Sequence, residues 1–360
     1  MVRATVLFEV RQALDMGAAM DWPWTETVAT ATSLIYTDGT HRLNFRGSFT
    51  YDAEGRVSGT VTMASYFLGD TVQFDAYNLS LSASVMQTFT ETVGDTQATY
   101  AYMLAGGENI SGSRDDDVLI GYGGNDFISG GTGDDRIYGG SGNDTMSGGN
   151  FDTLVGGTGD DWYYAYGATV VESVGGGIDK VYAWGNYTLG ANVERLKLWA
   201  TEPMNGIGNE LANVLVGNDQ VNILVGGARN DVLAGEGGND ILWGGTGRDL
   251  LTGGSGLDSF RFDTVAHATT NTDRISDFSH ADDTIVLYAS AYAGIGAAGV
   301  LASTAFRAST AAGDAGDRVI YDAATGHLYF DADGTGAAAQ VLFATVSPNS
   351  GVASNDFLIA

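Results

Sequence analysis

The chain has no cysteine, so neither disulfides nor thiolate metal ligands hold it together. Only 3 of its 360 residues are proline, and 44% are apolar, which excludes collagen-like and wholly disordered chains. Basic residues are scarce: 16 stand against 44 acidic ones, for a net charge of -28, and just two are lysine, Lys180 and Lys197. Such a surface repels phosphate backbones and anionic lipid, so nucleic acid is excluded as a direct partner and cations are expected. No run of 18 apolar residues occurs, so no transmembrane helix is expected. The opening MVRATVLFEVRQALDMG places Glu9, Arg11 and Asp15 where a signal-peptide core would lie, so no Sec signal is expected either. The only imidazoles are His41, His267, His280 and His327; none sits in HExxH, and no GxSxG occurs although Ser141 and Ser255 lie among glycines.

What the chain has in excess is glycine, 53 residues of it, and much of this glycine is periodic. A nine-residue unit starts at Gly112 and reads GSRDDDVLI, GYGGNDFIS, GGTGDDRIY, GGSGNDTMS, GGNFDTLV and GGTGDDWYY; the fifth copy is one residue short. A second block from Gly208 reads GNELANVLV, GNDQVNILV, GGARNDVLA, GEGGNDILW, GGTGRDLLT and GGSGLDSFR. Position six is Asp117, Asp126, Asp135, Asp144, Asp152 and Asp161, then Asn213, Asn222, Asp231, Asp240, Asp249 and Asp258. Position eight is always large and apolar or aromatic, from Leu119 to Tyr163 and from Leu215 to Phe260.

One unit reads as a six-residue turn followed by a three-residue strand, with glycine allowing the turn and position eight pointing inward. Two units make one coil of a right-handed parallel roll, so an aspartate meets the aspartate 18 residues later. Paired carboxylates and turn carbonyls, without imidazole or thiolate, are ligands for Ca²⁺ rather than Zn²⁺ or Cu²⁺. Residues 106–164 carry 11 acidic and 2 basic side chains and 17 glycines, so without a cation they lack the burial to offset entropy and repulsion.

These nonapeptides resemble the GGxGxDxUx repeats of the RTX family. The resemblance implies a β-roll filled with Ca²⁺, in a protein carried out of the cell by a type I exporter. It also takes in the spacer VESVGGGIDKVYAWGNYTLGANVERLKLWA, which is similar to segments linking roll blocks. The pairs Asp117/Asp135, Asp126/Asp144, Asp144/Asp161, Asp231/Asp249 and Asp240/Asp258 are regular or nearly so. Asp135/Asp152 is expected to be distorted by the short copy, and Asn213/Asp231 and Asn222/Asp240 to be weak for lack of charge, which gives about five to eight ions. Because the phase ends near Asp263, Asp258 is expected to have no later partner.

The flanks carry weaker signals. Residues 1–105 read as β-rich, with a hairpin around Ala53 to Gly55 and a further strand in VQFDAYNLSLSASV. Trp22 and Trp24, like the aromatics from Trp162 to Trp199, suit either packing or a sugar platform. Beyond Asp263, DRISDFSHADDTIVL resembles the region that follows the roll in exported proteins. A short helix is expected over 288–301, and strands over 318–322, 327–331 and near 340–346. Asp273, Asp277, Asp282 and Asp283 are candidate ligands, whereas Asp331, Asp333 and Gly334 lack the closing glutamate of an EF-hand. The ending NDFLIA resembles an uncleaved export signal.

The expected protein is all-β: a β-rich module (1–105), a first calcium block (106–164), a solenoid spacer (165–207), a second block (208–263) and a cap with the secretion region (264–360). Its expected role is that of an extracellular, Ca²⁺-folded surface or matrix protein without an enzyme domain. A glycan-binding module, self-association, and a hydrolase with its site in residues 1–105 stay open.

Overall fold

A strand with one inward apolar side chain per nonapeptide has nowhere to bury it except against the same position one coil away, and that requirement sets the architecture. The computed structural model describes residues 106–112, 114 and 116–360. It also gives the backbone of strands Val6–Leu7, Thr25–Ala29, Ser33–Thr37, His41–Tyr51, Val57–Leu68 and Thr71–Ser82. The chain divides into two units, Met1–Val181 and Tyr182–Ala360.

In the first unit, Val118–Gly123, Arg136–Ser141, Thr153–Thr158 and Thr169–Val171 form one parallel sheet, with Leu119, Ile137, Leu154 and Val170 in register. Asn109–Ser111, Phe127–Ser129, Thr145–Gly148 and Trp162–Ala165 form the other wall, with Ile110, Ile128, Met146 and Tyr163 in register. All eight side chains are buried between the walls. The short fifth copy keeps its register, Ile137 on Leu154, because its turn gives up the missing residue; Phe151 there takes a positive φ of 72° and is exposed. Ahead of the roll, the strands from Thr25 to Ser82 pair antiparallel in succession, and His41–Tyr51 with Val57–Leu68 makes the hairpin expected around residues 53–55. Trp22 and Trp24 lie outside the described residues.

The second unit repeats the design. Leu196, Leu215, Leu233, Leu251 and Ile275 stack on one wall; Gly206, Leu224, Leu242, Phe260, Ile285 and Phe357 stack on the other. Spacer residues Arg195–Leu198 and Met204–Ile207 are thus already coils of this solenoid. The phase does not end near Asp263: Asp273–Ile275 and Thr284–Leu287 continue both walls once a loop has absorbed the extra residues.

Residues 288–301 are not the expected helix. Gly294, Gly296 and Gly299 sit at φ of 87°, 130° and 124°, a region closed to a right-handed helix, and the segment forms turns and the strand Gly299–Val300. Strands Val319–Asp322, His327–Phe330 and Val341–Thr345 form the antiparallel cap close to the expected positions. The final strand Phe357–Ile359 lies between Thr284–Leu287 and Gly299–Val300, with Phe357 and Ile359 buried. Among the described residues the only helical segments are the 3-10 turns Ser303–Ala305 and Ser354–Asp356, and no helix is long and apolar enough to cross a membrane.

Burying a leucine side chain contributes about 1.5–3 kcal/mol, so the inner stacks supply a large share of the cohesion. Leu233→Ala, at a fully buried position between Leu215 and Leu251, is expected to cost about 2–5 kcal/mol. Val232→Ala, on the outer face of the same strand, is expected to cost far less. Urea unfolding in saturating calcium compares the two, and equal losses would contradict the stacked core.

Candidate metal centre

The turns join the strands through their position-six carboxylates. Every position-six residue in both blocks is at most 2% exposed. From Asp126 onward in the first block and from Asp231 onward in the second, the Oδ1 of each position-six aspartate accepts the backbone N–H of the equivalent residue one coil earlier. Glu108 donates to Asp126 (2.7 Å), Asp117 to Asp135 (2.8 Å), Asp126 to Asp144 (2.8 Å) and Asp144 to Asp161 (2.7 Å). In the second block Asn213 donates to Asp231, Asn222 to Asp240, Asp231 to Asp249 and Asp240 to Asp258, all at 2.7–2.8 Å.

That bond uses half of each carboxylate. The Oδ2 atoms of Asp126, Asp135, Asp144, Asp161, Asp231, Asp240, Asp249 and Asp258 are buried without a hydrogen-bond partner. Position-one glycine faces them: a β-carbon on Gly121 would collide with Asp126 Oδ2 and with the carbonyl of Gly139 in the next coil. Gly226 and Gly235 stand in the same relation to Asp231 with Gly244 and to Asp240 with Gly253. Glycine therefore keeps open a cradle bordered by a carboxylate oxygen and a carbonyl oxygen, the hard donor set that suits Ca²⁺. An orphaned buried carboxylate oxygen is costly, and a cation is the partner that fits it.

Electrostatics agree with the geometry. Burial pushes Asp135 and Asp144 up from the ordinary 3.8 to about 6, Asp231 and Asp240 to about 7 and Asp161 to about 8. Asp126, Asp152, Asp249 and Asp258 move in the same direction for the same reason. The backbone N–H bonds pull these carboxyls down, but desolvation outweighs them.

The irregular copies are each fitted differently. Asp152 still accepts the Asp135 N–H at 2.8 Å, so the stacking expected to be distorted is intact; what changes is its Oδ2, which accepts the Gly149 N–H at 2.6 Å. Asn213 and Asn222 put amide donors where aspartate puts an orphan oxygen. The Nδ2 of Asn213 donates to the Val193 carbonyl (3.0 Å) and that of Asn222 to the Met204 carbonyl (2.9 Å). The position-two residues Asn209 and Asn218 also donate to carbonyls of the preceding coil, and Lys197 Nζ donates to the Gly217 carbonyl at 2.7 Å. The asparagines of the first turns of the second block thus satisfy carbonyls of the preceding coil, and Lys197 satisfies that of Gly217.

The array runs past the nonapeptide spacing, through Asp179, which the sequence did not single out, and through Asp273 and Asp283, two of the four candidate ligands named beyond Asp263. Asp179 accepts the Asp161 N–H (2.9 Å), Asp273 the Asp249 N–H (3.0 Å) and Asp283 the Asp258 N–H (3.1 Å). Asp258 therefore has a successor, contrary to the expectation from phase, because the loop after Asp263 delays it to the twenty-fifth residue. Asp277 accepts the N–H groups of Gly253 and Gly254, and Asp282 accepts the Ser279 hydroxyl. Asp331 caps its own turn by accepting the Asp333 and Gly334 N–H groups. A second, exposed row at position five was legible but overlooked: Asn125, Asn143 and Asp160 accept the N–H groups of Asn143, Asp160 and Ile178 in the following coil. Of the histidines, His280 holds Asp356 at 2.8 Å and His267 and His327 bond neighbouring hydroxyls.

Two predictions test the array. Raised carboxyl values mean that the folded, metal-free chain binds more protons than the unfolded one above 3.8, so its stability is greatest at acid pH and is lost as pH rises through 6 to 8. In excess chelator, circular dichroism is expected to show more β structure at about pH 5 than at about pH 8; the reverse order would contradict buried, metal-free carboxylates. Second, Asp258→Ala is expected to lose at least as much bound calcium as Asp240→Ala, since Asp258 lies between two carboxylates and Asp240 lies between Asn222 and Asp258. Calorimetric stoichiometry decides, and a clearly larger loss for Asp240→Ala would refute the continued array.

A family of calcium-binding repeats fits this geometry. The family model for the RTX calcium-binding nonapeptide repeat matches in 4 copies, over residues 104–135, 120–152, 150–167 and 225–260. An endo-1,3-1,4-beta-glycanase of Rhizobium meliloti (strain 1021) is 38% identical over 65 residues, which are 18% of this chain and 14% of that protein's length. A solution structure of a subunit of the Azotobacter vinelandii mannuronan C5-epimerase is 25% identical, covering 48% of this chain and 82% of that one with a TM-score of 0.29. RTX nonapeptide repeats bind calcium, and the buried aspartates of this β-roll are placed to do so; the chain carries RTX calcium-binding repeats over residues 104–167 and 225–260.

Proposed function

We propose that the chain is an extracellular protein whose rolls fold on binding Ca²⁺, and that it acts at the cell surface or in the surrounding matrix without catalysis of its own. The observation that carries this reading is the row of buried, half-satisfied aspartates in turns kept open by glycine. Proteins with these repeats are generally secreted. Asp117, Asp126, Asp135, Asp144, Asp161, Asp231, Asp240, Asp249 and Asp258 are the proposed ligands, with turn carbonyls completing the shells of the regular turns. Asp152, Asn213 and Asn222, already committed to backbone groups, are proposed to contribute little.

Magnitudes favour folding after export. Extracellular modules bind Ca²⁺ with constants of ~0.1–1 mM, so millimolar calcium supplies on the order of 1 kcal/mol per site. Several sites together approach the stability of a domain. Where calcium is scarce, the repulsion within residues 106–164 prevails, and a type I exporter acting on residues 264–360 would receive an unfolded chain.

A carbohydrate-related role is the second reading, favoured by one surface feature. Phe127 and Trp162, 61% and 47% exposed, lie in one outward row of the first roll on either side of Thr145. The glycanase matched over 65 residues gives a polymer to try.

Circular dichroism of the full chain at neutral pH tests the main reading: chelator is expected to remove most β structure and millimolar Ca²⁺ to restore it cooperatively. A spectrum indifferent to chelator would sink it. Binding to 1,3-1,4-beta-glucan that disappears in Phe127→Ala and Trp162→Ala would establish the second reading, and release of reducing ends from it would overturn the non-catalytic assignment.

A further inference from the structure

The first roll ends in a cluster that the nonapeptide pattern does not contain. Asp161, Glu172 and Asp179 each present a carboxylate oxygen, and these oxygens lie within 4.8 Å of one another. The three residues are 0%, 8% and 1% exposed. Only Asp161 belongs to a repeat. Glu172 follows the strand Thr169–Val171, and Asp179 comes after the turn at Val174 and Gly175.

Each carboxylate is held in place by a bond made away from the others. Asp161 Oδ1 accepts the Asp144 N–H at 2.7 Å, and Asp179 Oδ1 accepts the Asp161 N–H at 2.9 Å. Glu172 accepts the hydroxyl of the fully buried Tyr163 on Oε1 and the Ser173 N–H, at 3.2 Å, on Oε2. Asp161 Oδ2 is left buried without a hydrogen-bond partner, and it points at Glu172: a β-carbon on Gly156 would strike Asp161 Oδ2, Glu172 Oε1 and the Tyr163 hydroxyl together. In the regular turns the corresponding space is bordered by an aspartate oxygen and the glycine carbonyl of the next coil, as at Gly121 and Gly139. Here a full negative charge replaces that carbonyl dipole.

We infer that Asp161, Glu172 and Asp179 form a separate cation site that closes the first roll, takes one Ca²⁺ on three carboxylates, and holds it more tightly than the nonapeptide turns do. Three buried carboxylates need a compensating cation far more than one or two do. Oxygen donors without nitrogen or sulfur select a hard ion. Among calcium sites, affinity rises with the number of charged ligands and with their rigidity, and these ligands are fixed by Tyr163 and by the backbone. The inference rests on the calcium reading of the rolls.

The test uses the full chain. Crystals grown in saturating Ca²⁺, and others with Tb³⁺ in its place for anomalous scattering, are expected to show an ion between the three carboxylates. At limiting calcium that ion is expected to remain after those in the first-roll turns have faded. In solution, Glu172→Gln is expected to bind one Ca²⁺ fewer per chain by equilibrium dialysis and to need more calcium to fold. Ions in the nonapeptide turns but none in this cluster, or an unchanged count in a folded Glu172→Gln, would overturn the inference and leave the calcium reading intact. Fading of this ion before the others would overturn the affinity order. Crystals without ions in either place would overturn both readings.

Discussion

A buried carboxylate that gives one oxygen to a backbone N–H and keeps the other unmatched is the constraint around which both rolls are organised. The matched oxygen ties each coil to its predecessor; Asp231, Asp240, Asp249 and Asp258 show the bond at nearly constant length. The unmatched oxygen needs a positive partner, and no side chain or turn N–H donates a hydrogen bond to it. Glycine at position one follows from the same constraint, since a β-carbon would occupy the space that this partner requires.

The second roll does not meet that constraint in the same way along its length. Its opening turns use Asn209, Asn213, Asn218, Asn222 and Lys197 to donate to carbonyls directly. From Asp231 onward the carboxylates return. Neutral amides cost less to bury than ions and need no dissolved partner, whereas carboxylates make cohesion conditional on the medium. Order in this roll is therefore least conditional at its start, where the GNxxxN spacing of Gly208 to Asn213 and Gly217 to Asn222 recurs.

Most of this was legible wherever the period held. Position eight marked the core residue by residue, and position six marked the turns, because side-chain direction in a short strand leaves no freedom once the register is fixed. Legibility failed where an insertion separated neighbours in space. Asp283 stands 25 residues after Asp258 and Asp273 stands 24 after Asp249, and no fixed spacing identifies them. Glu172 was missed for a related reason: it borders Gly156 in place of a backbone carbonyl, and a backbone group leaves no trace in the sequence. Residues 288–301 form no helix because their glycines Gly294, Gly296 and Gly299 adopt positive φ.

The direction of the Oδ1 bonds also decides where either roll can be cut. Each coil supplies a backbone N–H that only a later carboxylate can accept, so the final coil depends on residues outside the repeats: Asp179 in the first unit, Asp273 and Asp283 in the second. A fragment trimmed at residue 164 or 263, where the repeats end in the sequence, would leave the N–H of Asp161, or those of Asp249 and Asp258, buried without an acceptor, at about 1–3 kcal/mol each. Transplanting a roll into another protein therefore means carrying its terminating aspartates along, and the shortest segments that end properly reach past Asp179 and Asp283.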